Sequence, residues 1–149
     1  MKRGNRQQKK KVLRRDEQLN IYRVEGIQLL KKGRYDEGID FLIKSGYKKE
    51  RAHETAGFFL AANHKYEPAI KFLKISGTYI ALFKLGDVYE KINDLESAVS
   101  IYELALAKAN GQTPLVVEKL TKVYKKLKKD EKIKELAEKY NARINGFLT

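Results

Sequence analysis

Bulky and small apolar residues recur along this chain at offsets that repeat three times without a gap. The segments YDEGIDFLIKSG from Tyr35, YEPAIKFLKISG from Tyr66 and LESAVSIYELAL from Leu95 each open on a large apolar residue. An acid follows one residue later (Asp36, Glu67, Glu96), then a small residue at +3 (Gly38, Ala69, Ala98) and an aliphatic residue at +4 (Ile39, Ile70, Val99). Bulky pairs stand at +6 and +7, Phe41 with Leu42, Phe72 with Leu73 and Ile101 with Tyr102, and a small residue stands at +10, Ser45, Ser76 or Ala105. Nine residues before each start lies Gly26, Gly57 or Gly86, followed three residues on by Leu29, Leu60 or Tyr89. These offsets fall on one side of a 3.6-residue helix and not on the alternating faces of a strand, so each unit is a pair of helices. The spacing between units changes, 31 residues from Tyr35 to Tyr66 and 29 from Tyr66 to Leu95, so variation is confined to the links.

Turn signals mark the breaks. Gly33 closes the first helix, Gly46 and Gly77 sit where a helix end takes a left-handed residue, and Asn93-Asp94 offers a turn and an N-cap. Pro68 suits the first turn of a helix, and Thr113-Pro114 reads as N-cap and first helical position. The pattern predicts helices near 10–32, 35–45, 48–63, 66–76, 78–92, 95–110, 113–129 and 131–145. A glycine inside a helix costs about 1 kcal/mol relative to alanine. Three in one register therefore point to a shared packing constraint, the close crossing of two helices in a hairpin.

The segment from Ala81, ALFKLGDVYEKINDLESAVSIYELALAKAN, resembles the tetratricopeptide repeat, with Leu82, Leu85, Gly86, Tyr89, Ala98, Tyr102 and Ala105 on that family's signature positions. Leu82 stands in place of the usual tryptophan and Asn110 in place of the usual proline. The other two units are shorter and end in Ser-Gly, as in related α-solenoids of trafficking and coat assemblies. A fourth hairpin, from about 113 to 145, keeps Tyr124 at the matching place but has Ile133 where a small residue belongs, the decay expected of a terminal capping unit. The resemblance covers roughly residues 19–145 and implies an all-α fold, a right-handed superhelix of about four stacked helical hairpins. It also implies a protein-interaction scaffold or adaptor that holds a partner peptide or helix in a concave groove. The first helices would supply that groove, through Arg23 and Ile27, Glu54 and Phe58, and Phe83 and Asp87. Phenylalanine and isoleucine there suit an apolar or amphipathic segment, and the alternative is that they are core. Glu54 and Asp87 would repel a carboxylate, which disfavours the clamp for C-terminal carboxylates that some family members carry.

Charge adds a second theme. The net charge of +13 is uneven: residues 1–34 carry 12 Lys/Arg against 3 Asp/Glu, residues 35–114 carry 10 against 11, and residues 115–149 carry 10 against 5. Residues 1–18 read as a basic, flexible N-terminal arm ahead of a helical-repeat domain over 19–149, with Lys2, Arg3, Arg6, Lys9, Lys10, Lys11, Arg14 and Arg15 unopposed by any acid before Asp16. In the seventh helix Val116, Leu120, Val123 and Leu127 form the buried seam, while Lys119, Lys122, Lys126 and Lys129 recur on another face, widened by Lys125 and Lys128. Only Glu118, Asp130 and Glu131 lie close enough in sequence to balance that stripe. The arm and stripe point to RNA or another polyanion as a possible second partner. The alternative reading is an RNA-binding component of a ribonucleoprotein, with the repeat as a structural body only. A solubilising tail and a solvated helix face are the plainer readings of the same residues.

Catalysis finds no footing in the sequence. Cysteine is absent, which removes thiol nucleophiles, disulfides and cysteine-ligated metals. His53 and His64 are eleven residues apart, too far to chelate one metal, and His53 beside Glu50 and Glu54 reads as a surface or packing residue. Neither a phosphate-cradling glycine loop nor a nucleophile elbow is present. No enzyme, metal, cofactor or small-molecule substrate is expected. Without an apolar run of about 18 residues, and with only Val12 and Leu13 as apolar anchors in the arm, an intracellular, cytoplasmic protein that does not bind membranes is expected.

Overall fold

The computed structural model describes residues 14–109 and 113–140. These form α1 (Arg15–Lys31), α2 (Tyr35–Lys44), α3 (Lys49–Ala62), α4 (Tyr66–Ser76), α5 (Tyr79–Lys91), α6 (Leu95–Lys108), α7 (Thr113–Lys126) and α8 (Asp130–Tyr140), with no strand among the described residues. Consecutive helices pair as the periodicity requires, α1 on α2, α3 on α4, α5 on α6 and α7 on α8. The fold is an all-α, right-handed superhelix of four stacked hairpins. Residues 10–13 and 141–145, which the pattern added to the first and last helices, lie outside the described residues.

All four hairpins turn by one device. Gly33, His64, Asn93 and Lys128 take φ of 79°, 59°, 60° and 57°. The N–H of the next residue then reaches back to the last turn of the first helix: Arg34 to Leu29, Lys65 to Leu60, Asp94 to Tyr89 and Lys129 to Tyr124, each at 2.8 to 2.9 Å. Lys128 is thus a turn residue, and α7 ends at Lys126, short of the expected 129. A side chain in the left-handed region costs roughly 1–2 kcal/mol, most of which glycine avoids. Lys128→Gly is therefore expected to raise stability by about 0.5–1 kcal/mol, read as a higher urea midpoint at unchanged slope. A lowered midpoint would show that the fourth turn differs from the other three.

The hairpins close where the repeated glycines lie. A methyl group on Gly26 would fall 2.9 Å from the Gly38 carbonyl, and one on Gly38 would fall 2.9 Å from that of Gly26, so the two backbones touch. Gly57 faces Leu73, and Gly86 faces the Tyr102 ring. In the fourth hairpin this register holds Thr121, fully buried, whose hydroxyl donates back to the Val117 carbonyl at 2.7 Å and so needs no partner across the hairpin. The small residue at +10 of the second unit closes the far end of its own hairpin: Ser76 is buried and donates to the Glu50 carbonyl of α3 at 2.8 Å. First helices of successive hairpins also approach one another, α1 with α3 and α3 with α5, while the backbones of the second helices make no comparable approach. That asymmetry curves the stack and places the first helices on its inner side.

Candidate functional site

The six expected groove residues all lie half-buried on α1, α3 and α5. Phe58 and Phe83 do not stand bare. Lys84 Nζ of α5 lies 5.6 Å from the Phe58 ring centre, and Lys119 Nζ of α7 lies 5.9 Å from that of Phe83. Each ring is therefore partly roofed by a cation from the next first helix, an arrangement in which the lysine stem adds apolar contact and the ammonium meets the ring's negative face. Phe83 also leans on Tyr79 and Tyr102, with ring centres 6.3 and 6.0 Å away. Part of each phenylalanine packs against the core, and part remains exposed.

The two acids of the groove have structural partners. Glu54 accepts from the Thr78 hydroxyl at 2.6 Å, and Thr78 Oγ1 in turn accepts from the Ala81 N–H to cap α5, so Glu54 braces the second hairpin against the third. Asp87 accepts from the Tyr102 hydroxyl at 2.6 Å and pairs with Lys119 at 2.9 Å. Glu90 also accepts from Tyr102, and Lys126 lies 3.9 Å from its carboxylate. One phenolic hydrogen cannot serve two carboxylates at full strength, and the two lysines supply the remaining charge. Burial, then hydrogen bonding to Asp87 and Glu90 and their charges, push the Tyr102 phenol well above its usual pKa of 10.0. Partial burial works to lower the Lys119 ammonium, but the hydrogen bond to Asp87 and the charges of Asp87, Glu90 and Glu118 together leave it raised. Tyr124 repeats the motif one hairpin on, donating to Glu103 at 2.6 Å, its phenol raised by burial first and Glu103 second.

The lysine stripe is balanced across the fold. Besides Lys119 and Lys126, Lys122 pairs with Glu118 at 3.2 Å and Lys129 with Glu96 at 3.1 Å. Local sequence supplied only Glu118, Asp130 and Glu131, whereas folding adds Asp87, Glu90 and Glu96 from α5 and α6. Of the arm, Arg14 and Arg15 are exposed at the start of α1, and Lys2, Arg3, Arg6, Lys9, Lys10 and Lys11 lie outside the described residues.

The structure gathers one cluster that the charge count concealed. Residues 35–114 are neutral in sum, yet KSGYKKER at 44–51 holds Lys44, Lys48, Lys49 and Arg51 against Glu50 alone. Here Arg23 of α1 and Arg51 of α3 both lie on the Tyr47 ring, their guanidinium carbons 4.6 and 4.3 Å from its centre. Neither arginine, nor any of the three lysines, makes an ion pair among the described residues. Arg23 Nε is buried with no acceptor, a state that costs about 1–3 kcal/mol. The run was visible in the sequence, but averaging over 80 residues hid it, and Arg23 enters only through folding.

His53 is buried, and its Nδ1 lies 2.8 Å from the Lys49 carbonyl of its own helix, the geometry of a packing residue. Among the described residues no group of three or more His, Asp or Glu could hold a metal ion, and no helix is long and apolar enough to cross a membrane.

No protein-family model and no curated protein matches the chain. Among solved structures it is similar to a point mutant of MamA, a TPR-like helical protein, at 18% identity over 83% of this chain and 95% of that one, with a TM-score of 0.52. A MamA structure from AMB-1 matches at 15% identity over 89% and 97%, with a TM-score of 0.48. The first of these is a likeness of fold and agrees with the hairpin stack described above.

Proposed function

We propose that this chain is a non-catalytic interaction scaffold that holds a segment of a partner protein against the inner face of its first helices. The observation that carries the reading is the pair Phe58 and Phe83, half-buried on successive inner helices and each flanked by a lysine, Lys84 or the Asp87-paired Lys119. A surface of rings beside cations suits an amphipathic segment, its apolar side on the rings and an acid on Lys84, which makes no ion pair among the described residues. In the same reading the basic ends add a contact to RNA or another polyanion, which the eight cations of residues 1–15 support.

Phe58→Ser together with Phe83→Ser is expected to leave most of the helical circular dichroism in place while reducing capture of the partner by about tenfold or more. Unchanged capture by a folded double variant would refute the groove. For the ends, the full chain is expected to be retained on immobilised RNA with a steep salt dependence that a chain starting at Gln18 loses. Equal retention of both forms would remove the arm from the account.

A further inference from the structure

We infer that Arg23, Tyr47 and Arg51 form an oxyanion site that seats an acidic side chain, carboxylate or phosphorylated, of the partner segment. The inference rests on the scaffold reading above for its partner, but the site itself is argued from charge and geometry. Two guanidinium groups share one ring, their carbons at most about 9 Å apart, a gap that two oxygens of one carboxylate or phosphate can span, one to each group. Neither guanidinium makes an ion pair among the described residues, and Lys48 and Lys49 stand nearby in the chain. Arg23 Nε–H is buried with no acceptor among the described residues, so its guanidinium is not committed to a partner in the fold. An anion held by the outer N–H groups of both arginines offsets their charge.

The surroundings choose a peptide over a nucleic acid. The Tyr47 ring already carries two guanidinium groups, which compete with a base for stacking on it. Along the inner face, Arg51 is followed by Glu54 and the apolar rings of Phe58 and Phe83, and beyond them Lys119 is paired with Asp87, so acids and rings alternate with the cations where a phosphodiester backbone needs consecutive ones. Arg51, Glu54 and Phe58 follow at helical spacing on one face of α3, so the anion site lies two turns from the first phenylalanine, about 10 Å. A strand spans that distance in about three residues. The partner motif implied is an acidic residue with an apolar residue about three positions away.

The test is side-chain NMR of the arginine Nε–H groups in the full chain, titrated separately with inorganic phosphate, with acetate and with chloride at matched ionic strength. Saturable shifts of Arg23 and Arg51 with phosphate or acetate but not chloride are expected, while Arg34, which is exposed and paired with Glu37, stays still. A response to phosphate alone would assign the seat to a phosphorylated residue, and a response to both would admit aspartate or glutamate. Arg51→Gln, on an exposed position, is expected to weaken the phosphate response about tenfold without loss of helicity. Equal shifts with chloride, or equal shifts at Arg34, would overturn the site. Tighter binding of a short oligouridylate than of an acidic peptide of equal charge, through these same arginines, would overturn the peptide and put nucleic acid in its place. The anion titration does not depend on Phe58 or Phe83, so a Phe58→Ser, Phe83→Ser chain that answers phosphate but shows no partner defect would sink the groove and leave this site standing.

Discussion

Gly86→Ala is expected to cost about 2–3 kcal/mol of stability, although alanine is the better helix former by about 1 kcal/mol. The added methyl would fall 2.6 Å from Tyr102 Cδ1 and Cζ, closer than two carbons can sit. The ring has no room to yield: it is fully buried, Phe83 lies against it, and Asp87 and Glu90 hold its hydroxyl. Either α5 and α6 move apart, or the hydrogen bonds to the two carboxylates are lost, and bonds to charged groups are worth about 1.5–3 kcal/mol each. Gly57→Ala should also destabilise, by about 1–3 kcal/mol, because its methyl meets Cγ and Cδ2 of Leu73, which is fully buried and cannot yield alone. Urea unfolding of the two variants checks both values, and a stabilised Gly86→Ala would mean that α5 and α6 do not cross at this point.

Removing the Tyr102 hydroxyl has the second large effect. Tyr102→Phe keeps the ring and takes the shared donor from Asp87 and Glu90, at an expected cost of about 1.5–3 kcal/mol at neutral pH. The pH dependence has a definite sign. The folded phenol is raised above the 10.0 at which the unfolded one ionises. Above pH 10 the unfolded chain therefore binds fewer protons than the folded one, and stability falls as pH rises. The contribution of Tyr102 is complete below that pH and is lost by about 1.4 kcal/mol per pH unit above it, so the wild-type and Tyr102→Phe curves should converge within about two units. Tyr124 is present in both chains and cancels in the difference. Parallel curves above pH 10 would show that the hydroxyl is free to ionise in the folded chain.

The parts of this fold written at short range were legible in the sequence. Gly26, Gly57 and Gly86 announced the crossings because a close helix approach admits few alternatives. The turns were legible only at Gly33 and Asn93, since His64 and Lys128 take the same left-handed conformation with side chains that carry no such signal. The inner face was half legible. Phe58 and Phe83 stand where the repeat register puts them, but the roofing lysines come from other hairpins, and so do the partners of Glu54 and Asp87 at Thr78 and Lys119. Sequence proximity cannot count such neighbours. It overstated the bare charge of the Lys119 to Lys129 stripe for that reason, and understated that of the α2–α3 junction.

The central claim is that the partner lies on the inner face of the first helices, and site-specific photo-crosslinking in the native cells tests it most directly. A benzophenone side chain is placed at Phe58 on that face, and separately at Leu104, which is 47% exposed on the second helix of the third hairpin. The account predicts a discrete protein adduct from position 58 and none from position 104. Adducts from 104 alone would put the partner on the opposite side of the solenoid and contradict it.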